Sequence, residues 1–214
     1  MITRHRILDL VPYINWTNYF TAWGFDKKFA SIANVEGCDV VRASWLTDFE
    51  VEDRTKASEA MQLLKEAYRE IPELDQYFQL FTLHKPVSCQ VEESSLLING
   101  IQFPLLEDSI NTSKPTSILA YATTVDRDME NMYANNEHKH KLVMILAAIL
   151  VDAATQSILK SEKIKDYKMV DIHQQTSKVQ QAFDQLVDLD QLGITLDPTF
   201  GKNTPISTKF GFIV

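Results

Sequence analysis

The sequence predicts an α+β protein, and a few stretches carry that prediction. Apolar residues recur at helical steps over 53–71 and 135–161. Between these helices, 77–125 is rich in β-branched and aromatic residues, with Asn99-Gly100 placed between two apolar runs as a hairpin turn. A last extended run, 206–214, closes the chain.

The first element is an aromatic stripe. Tyr13, Trp16, Phe20 and Trp23 fall at steps of three and four, one face of a helix. Asn15 or Thr17 can cap its start, and Gly24 can end it in the left-handed conformation. A buried stripe is the plain reading of such a face. The sharper one is that Asn15, Thr17 and Asn18, woven through it, face a ligand.

From Phe25 to Glu50 the pattern loosens, and one short extra element is expected there. Asp53 to Ile71 then reads as a helix, with Ala57, Ala60, Met61, Leu64, Ala67, Tyr68 and Ile71 on one face and Pro72 as its stop. Glu66 and Glu70, among Lys65 and Arg69, read as a solvated face.

Tyr77 to Leu106 reads as strands. Leu96, Ile98, Ile101 and Phe103 pair across Asn99-Gly100, and Pro104 ends the second strand or marks it as an edge. Glu107–Thr116 is a polar loop and Ser117–Val125 a buried strand, leading into a helix over Asp126–Tyr133. Asn135–Ser161 is the longest helix, with small Ala147, Ala148, Ala153 and Ala154 allowing close packing and Asp152 and Gln156 one turn apart. Lys160–Ser177 is polar and reads as a loop, and Val179–Leu189 as a further helix with Gly193 at its cap. The whole, 1–214, reads as a single domain.

Composition narrows the function classes. A net charge of -8 argues against nucleic acid or an anionic membrane as partner. Cys38 and Cys89 lack metal-site spacing, and a reducing compartment suits them. The first ten residues hold no apolar core of a signal peptide, and the apolar run near 142–150 is too short to span a bilayer, so a cytoplasmic location is expected. Nucleotide-binding glycine motifs and a nucleophile elbow are absent. His138 and His140 are two apart, a poor spacing for helical metal ligands. Asp126 and Asp128 suit a helix start. With no nucleophile, metal or acid–base constellation in view, no catalytic residue is assigned.

Several of these segments also carry a resemblance. The run Y-I-N-W-T-N-Y-F-T-A-W from Tyr13 to Trp23 resembles the opening of the activation (reactivation) domain of cobalamin-dependent methionine synthase, typically Y-I-D-W-T-P-F-F-x-x-W. The run from Lys56 to Ala67 matches the E-A, L and A positions of the family's G-x-E-A-x-x-L-x-x-D-A. S-I-L-A-Y-A-T-T, from Ser117, is similar to the family strand Y-I-G-A-F-A-V-T. Gly193, Leu196, Phe200, Pro205, Ser207 and Gly211 match the family's ending.

The resemblance implies a bent antiparallel sheet with flanking helices. It implies a domain that binds S-adenosylmethionine and presents its methyl group to oxidised cobalamin held on another protein or domain, with flavodoxin as the usual electron donor. The implied ligand positions are Asn15, Trp16, Asp152, Gln156 and Lys165. The family's acid in Y-I-D-W is here Asn15, which is neutral. Its glutamate on the long helix falls at Gln156, with Asp152 as a substitute one turn earlier. Its R-P-A-P-G-Y-P segment falls at Lys165–Val170, where Lys165 supplies a point charge without a guanidinium fork and the Gly-Tyr pair is not kept. Charged hydrogen bonds contribute roughly 1.5–3 kcal/mol each, so losing two or three weakens micromolar binding to about millimolar. The expectation is a free-standing accessory protein, acting on a separate methionine synthase core or other corrinoid methyltransferase, with weakened or altered S-adenosylmethionine binding. A scaffold that kept the fold and lost the ligand is the alternative.

Overall fold

The computed structural model describes residues 1–36, 39–92, 95–104, 116–125, 128–165, 167, 169–172, 175–194, 196 and 208–214. The chain opens with strand β1 (Ile2–His5), helix α1 (Ile7–Leu10), a 3-10 turn at Val11–Tyr13 and helix α2 (Trp16–Ala22). A 3-10 segment (Lys27–Asn34), α3 (Asp39–Thr47) and the long α4 (Arg54–Tyr77) follow. Strands β2 (Leu80–Glu92), β3 (Ser95–Ile98), β4 (Ile101–Pro104) and β5 (Thr116–Val125) come next, then α5 (Asp128–Asn131) and α6 (Glu137–Ser161). Strand β6 (Met169–Asp171), α7 (Ser177–Val187), a 3-10 turn at Leu189–Leu192 and β7 (Thr208–Ile213) end it.

The sheet is antiparallel throughout, in the order β4-β3-β2-β5-β7-β6, and it curls into a half-barrel. Strand β2 organises it. One edge of β2 pairs with β5, while β1 meets Leu80–Leu83 and β3 meets Gln90–Glu92. The hairpin forms as its turn demands: Asn99 and Gly100 have φ of 51° and 81°, and Ile98 faces Ile101 while Leu96 faces Phe103. Pro104 ends β4, an edge strand, where a missing N–H costs no ladder bond.

Alternation along the strands divides the interior. Ala120, Ala122, Phe210 and Phe212 point into the half-barrel, where Phe183 of α7 stacks 5.3 Å from Phe210 and meets Phe212 edge-on at 5.1 Å. Leu119, Tyr121 and Ile213 point the other way, against Ile158 and Leu159 of α6. A separate, larger core joins α1, α2, α4 and α6 through Leu10, Phe20, Ile71 and Leu146. Helix α6 is long and apolar enough to cross a bilayer, but 67% of its most apolar window is buried inside the protein, which accounts for that apolarity. The uninterrupted apolar run considered in the sequence understates the helix.

Several expectations are corrected. The aromatic stripe is not one helix: Tyr13 lies in the 3-10 turn, and α2 begins at Trp16 behind the Asn15 cap. Phe25–Glu50 holds two elements, tied by a bond from Trp45 Nε1 to Ser31 Oγ at 3.0 Å. Pro72 does not stop α4, which runs on to Tyr77 because the buried Leu74 and the capping Asp75 hold its last turns in place. Tyr77 and Phe78 therefore end a helix rather than begin a strand. Glu70 is not solvated: it is 4% exposed, paired with Lys139 at 3.0 Å. The segment read as a loop after Lys160 contains β6, whose three residues are too few to show alternation. Asp188, at φ 62°, caps α7, and Gly193 ends the following 3-10 turn instead. The polar loop expected up to Thr116 lies outside the described residues except for Thr116 itself, which starts β5.

Candidate functional site

The α6-facing side of β5, β7 and β6 gathers the polar residues of interest. Helix α6 crosses this side, and its inward face must satisfy buried polar groups as well as pack. Asp152 accepts from Lys209 Nζ of β7 at 2.5 Å, both side chains about one-quarter exposed. One turn on, Gln156 Oε1 accepts from the Tyr167 hydroxyl at 2.8 Å. Within the sheet, the Tyr121 hydroxyl donates to Asp171 Oδ1 at 3.1 Å. Burial, and then the neighbouring Asp171 carboxylate, push the Tyr121 phenol well above its ordinary range, so it stays a neutral donor.

The register explains why these residues meet. Tyr121 lies opposite Gly211, and Thr123 opposite Lys209. Asp171 in turn lies opposite Gly211. A Cβ on Gly211 would stand 2.1 Å from the Val170 carbonyl oxygen, so only glycine lets β6 lie this close to β7. Gly211 therefore positions Asp171 beside Tyr121.

Of the residues chosen from the sequence, Asp152 and Gln156 do share one side of α6, each with a partner from its own chain. Asn15 is exposed, and its Oδ1 accepts from Asn18 N–H at 3.1 Å, the cap of α2. Trp16 is half-buried and packs on Tyr19 and Tyr68, with ring centroids 5.5 and 5.1 Å away. Lys165 is exposed. No hydrogen bond or ring contact among the described residues joins Asn15 or Trp16 to Asp152 or Gln156; the link is packing of α2 on α6. Tyr167, Lys209, Tyr121 and Asp171 were not singled out as site residues. Tyr167 lies within the segment, Lys165–Val170, matched to the family's carboxylate-gripping loop.

The two histidines serve separate partners. His138 Nε2 meets Glu66 Oε2 at 2.8 Å, and His140 Nδ1 meets the Met132 carbonyl at 3.1 Å. Asp171 belongs to β6, and Ile172 beside it is buried.

These features define a class of fold, a curled antiparallel half-barrel crossed by a long helix, with polar pairs between helix and sheet. Among solved structures, the chain is similar to the crystal structure of the MetH reactivation domain bound to AdoHcy, with a TM-score of 0.70. That likeness covers 100% of this chain and 77% of the other, at 13% identity, and it establishes the fold. No family model matches the chain, and no curated protein matches it.

Proposed function

We propose that this chain is an accessory reactivation module with weakened S-adenosylmethionine binding. It would act on a cobalamin centre carried by a separate methyltransferase in the cytoplasm. The observation that carries this reading is the likeness of the full chain to a reactivation domain solved with AdoHcy. The residue matches from Tyr13 to Trp23 and at the C-terminus run in the same direction. In this reading Asn15 takes the place of the family's ammonium-holding acid, with Trp16 beside it, Gln156 or Asp152 that of its helix glutamate, and Lys165 that of the arginine that grips the ligand's carboxylate. The chain's contribution is binding and orientation, while the transfer chemistry belongs to the ligand and to the partner's cobalamin.

The polar pairs support weakened binding in this reading. A ligand ammonium group would have to displace Lys209 from Asp152 and compete with the Tyr167 hydroxyl for Gln156. Asn15 already spends its carbonyl oxygen on the α2 cap. The same three facts favour the second reading, a scaffold whose ligand site is closed.

Calorimetric titration with S-adenosylmethionine, with S-adenosylhomocysteine alongside, separates the two. Binding at micromolar to low millimolar concentration that weakens on Gln156→Ala supports the module. Neither heat nor thermal stabilisation at millimolar ligand supports the scaffold. Co-sedimentation with a flavodoxin-dependent methionine synthase then tests the partner.

A further inference from the structure

A cleft of about 410 Å³ opens between the end of α2, the middle of α4 and the start of α6. It shares no residue with the site described above. Trp23, Phe25 and Leu63 supply its apolar lining, and Glu59, Glu66 and His138 its charged or titratable lining. Two carboxylates and no lysine or arginine are among the lining residues.

The chain's own cations show what this lining attracts. Lys141 Nζ stands 4.6 Å from the centre of the Trp23 ring. Lys56 Nζ stands 5.6 Å from the centre of the Phe25 ring and 3.1 Å from Glu59 Oε2. An ammonium over an aromatic face and beside a carboxylate is favourable for electrostatic reasons. Lys56 is tethered from outside, and its side chain is 63% exposed, so displacing it into water costs little. Glu66 is fixed in place, accepting from His138 at 2.8 Å and from Gln62 at 3.3 Å, with lone pairs to spare. The Trp23 N–H is buried without a hydrogen-bond partner among the described residues, and the ring is held in the wall by packing against His138, 5.4 Å between ring centroids, and by the Lys141 ammonium.

We propose that this cleft is a binding site for a small arylalkyl amine in its ammonium form. The ring of such a ligand covers Trp23, Phe25 and Leu63, and its ammonium meets Glu66 and Glu59. The volume lies within the range of small-molecule pockets, about 300–1,000 Å³.

The test uses the full chain and 2-phenylethylammonium, followed by calorimetry and tryptophan fluorescence, with 2-phenylethanol as the neutral isostere. Saturable binding of the amine, about tenfold tighter than the alcohol, is expected. Glu66→Gln weakens it about fivefold or more, whereas Glu52→Gln, an exposed acid outside the cleft, leaves it unchanged. Glu59→Gln, 51% exposed, provides a second variant should Glu66→Gln unfold. Equal affinity for amine and alcohol overturns the proposal, as does equal weakening by Glu52→Gln and Glu66→Gln. Heat that does not saturate by about 20 mM, well above the millimolar range of weak ligands, overturns it as well.

Discussion

His5 ends a buried chain of hydrogen bonds whose direction can be worked out proton by proton. The Thr155 hydroxyl donates to the Val151 carbonyl at 3.1 Å, so it must accept from Thr123, 3.1 Å away. Thr123 therefore accepts from Thr82 at 3.0 Å, and Thr82 accepts from His5 Nε2 at 3.0 Å. The neutral ring is thus protonated on Nε2. Burial, and then the neighbouring His84, lower the His5 pKa from its ordinary 6.5. Burial, and then the N-terminal ammonium, lower that of His84 as well, with Glu162 opposing. Well above pH 6.5 both rings are neutral in both states and leave stability unchanged. As pH falls below about 6.5, the unfolded chain takes up protons first, so stability drops until the depressed folded values are passed. Thermal unfolding followed across this window should show a falling midpoint. His5→Gln keeps the donor to Thr82 but cannot titrate, so its midpoint should fall less steeply. A parallel decline in the two proteins would show that His5 is not responsible. At the same scale, Gly211→Ala places a methyl group where the Val170 carbonyl stands. It should cost more than about 2 kcal/mol in denaturant unfolding and remove the exchange protection of the Ile172 amide, which donates to Phe210 at 3.0 Å. Retained protection would refute that assignment.

At the scale of elements, Asp75 shows how tertiary contacts override a local stop signal. Proline inside a helix costs about 3 kcal/mol, and Pro72 alone argues for an end to α4 at that point. Past it, however, Leu74 is fully buried, and Asp75 accepts from the Leu8 amide at 3.1 Å and from Arg6 at 3.0 Å. Asp75 thereby caps α1 from a distant part of the chain. Burial raises its pKa, but the Leu8 amide and Arg6 outweigh it and the net shift is downward. Its contribution is therefore present above the ordinary carboxylate range and lost as pH falls through the depressed value. Asp75→Ala should cost about 1–2 kcal/mol at neutral pH and nearly nothing once the carboxylate is protonated. A cost that does not change with pH would mean that packing, not the cap, is at stake. The Asn99-Gly100 turn was legible because its signal is local: two residues that tolerate positive φ between runs that alternate. The continuation of α4 and the three residues of β6 were not, since both depend on partners far along the chain. The same distinction runs through the candidate site. The one-turn spacing of Asp152 and Gln156 could be read from the helix period, but Lys209 and Tyr167, which occupy them, are brought in by sheet register and chain return.

At the scale of the whole molecule, the protein has one core among its helices and another inside its half-barrel, and the question is whether they melt together. Leu80 of β2 belongs to the helical core, and Leu83, three residues on, to the barrel interior. Helix α6 lends Leu146 and Leu150 to the helical core and Ile158 and Leu159 to the outer side of the sheet. Thr123 and Thr155 bond across the junction. Neither core can be exposed without breaking a strand or helix the other needs, so the molecule should unfold in one cooperative step. Large-to-small changes such as Phe183→Ala in the barrel and Leu146→Ala among the helices typically cost about 2–5 kcal/mol. Each should shift the same calorimetric transition to lower temperature without splitting it. A second transition appearing in Phe183→Ala, with the helical signal retained between the two, would show instead that the half-barrel opens on its own. The polar pairs of the candidate site would then sit on the boundary between two units rather than within one.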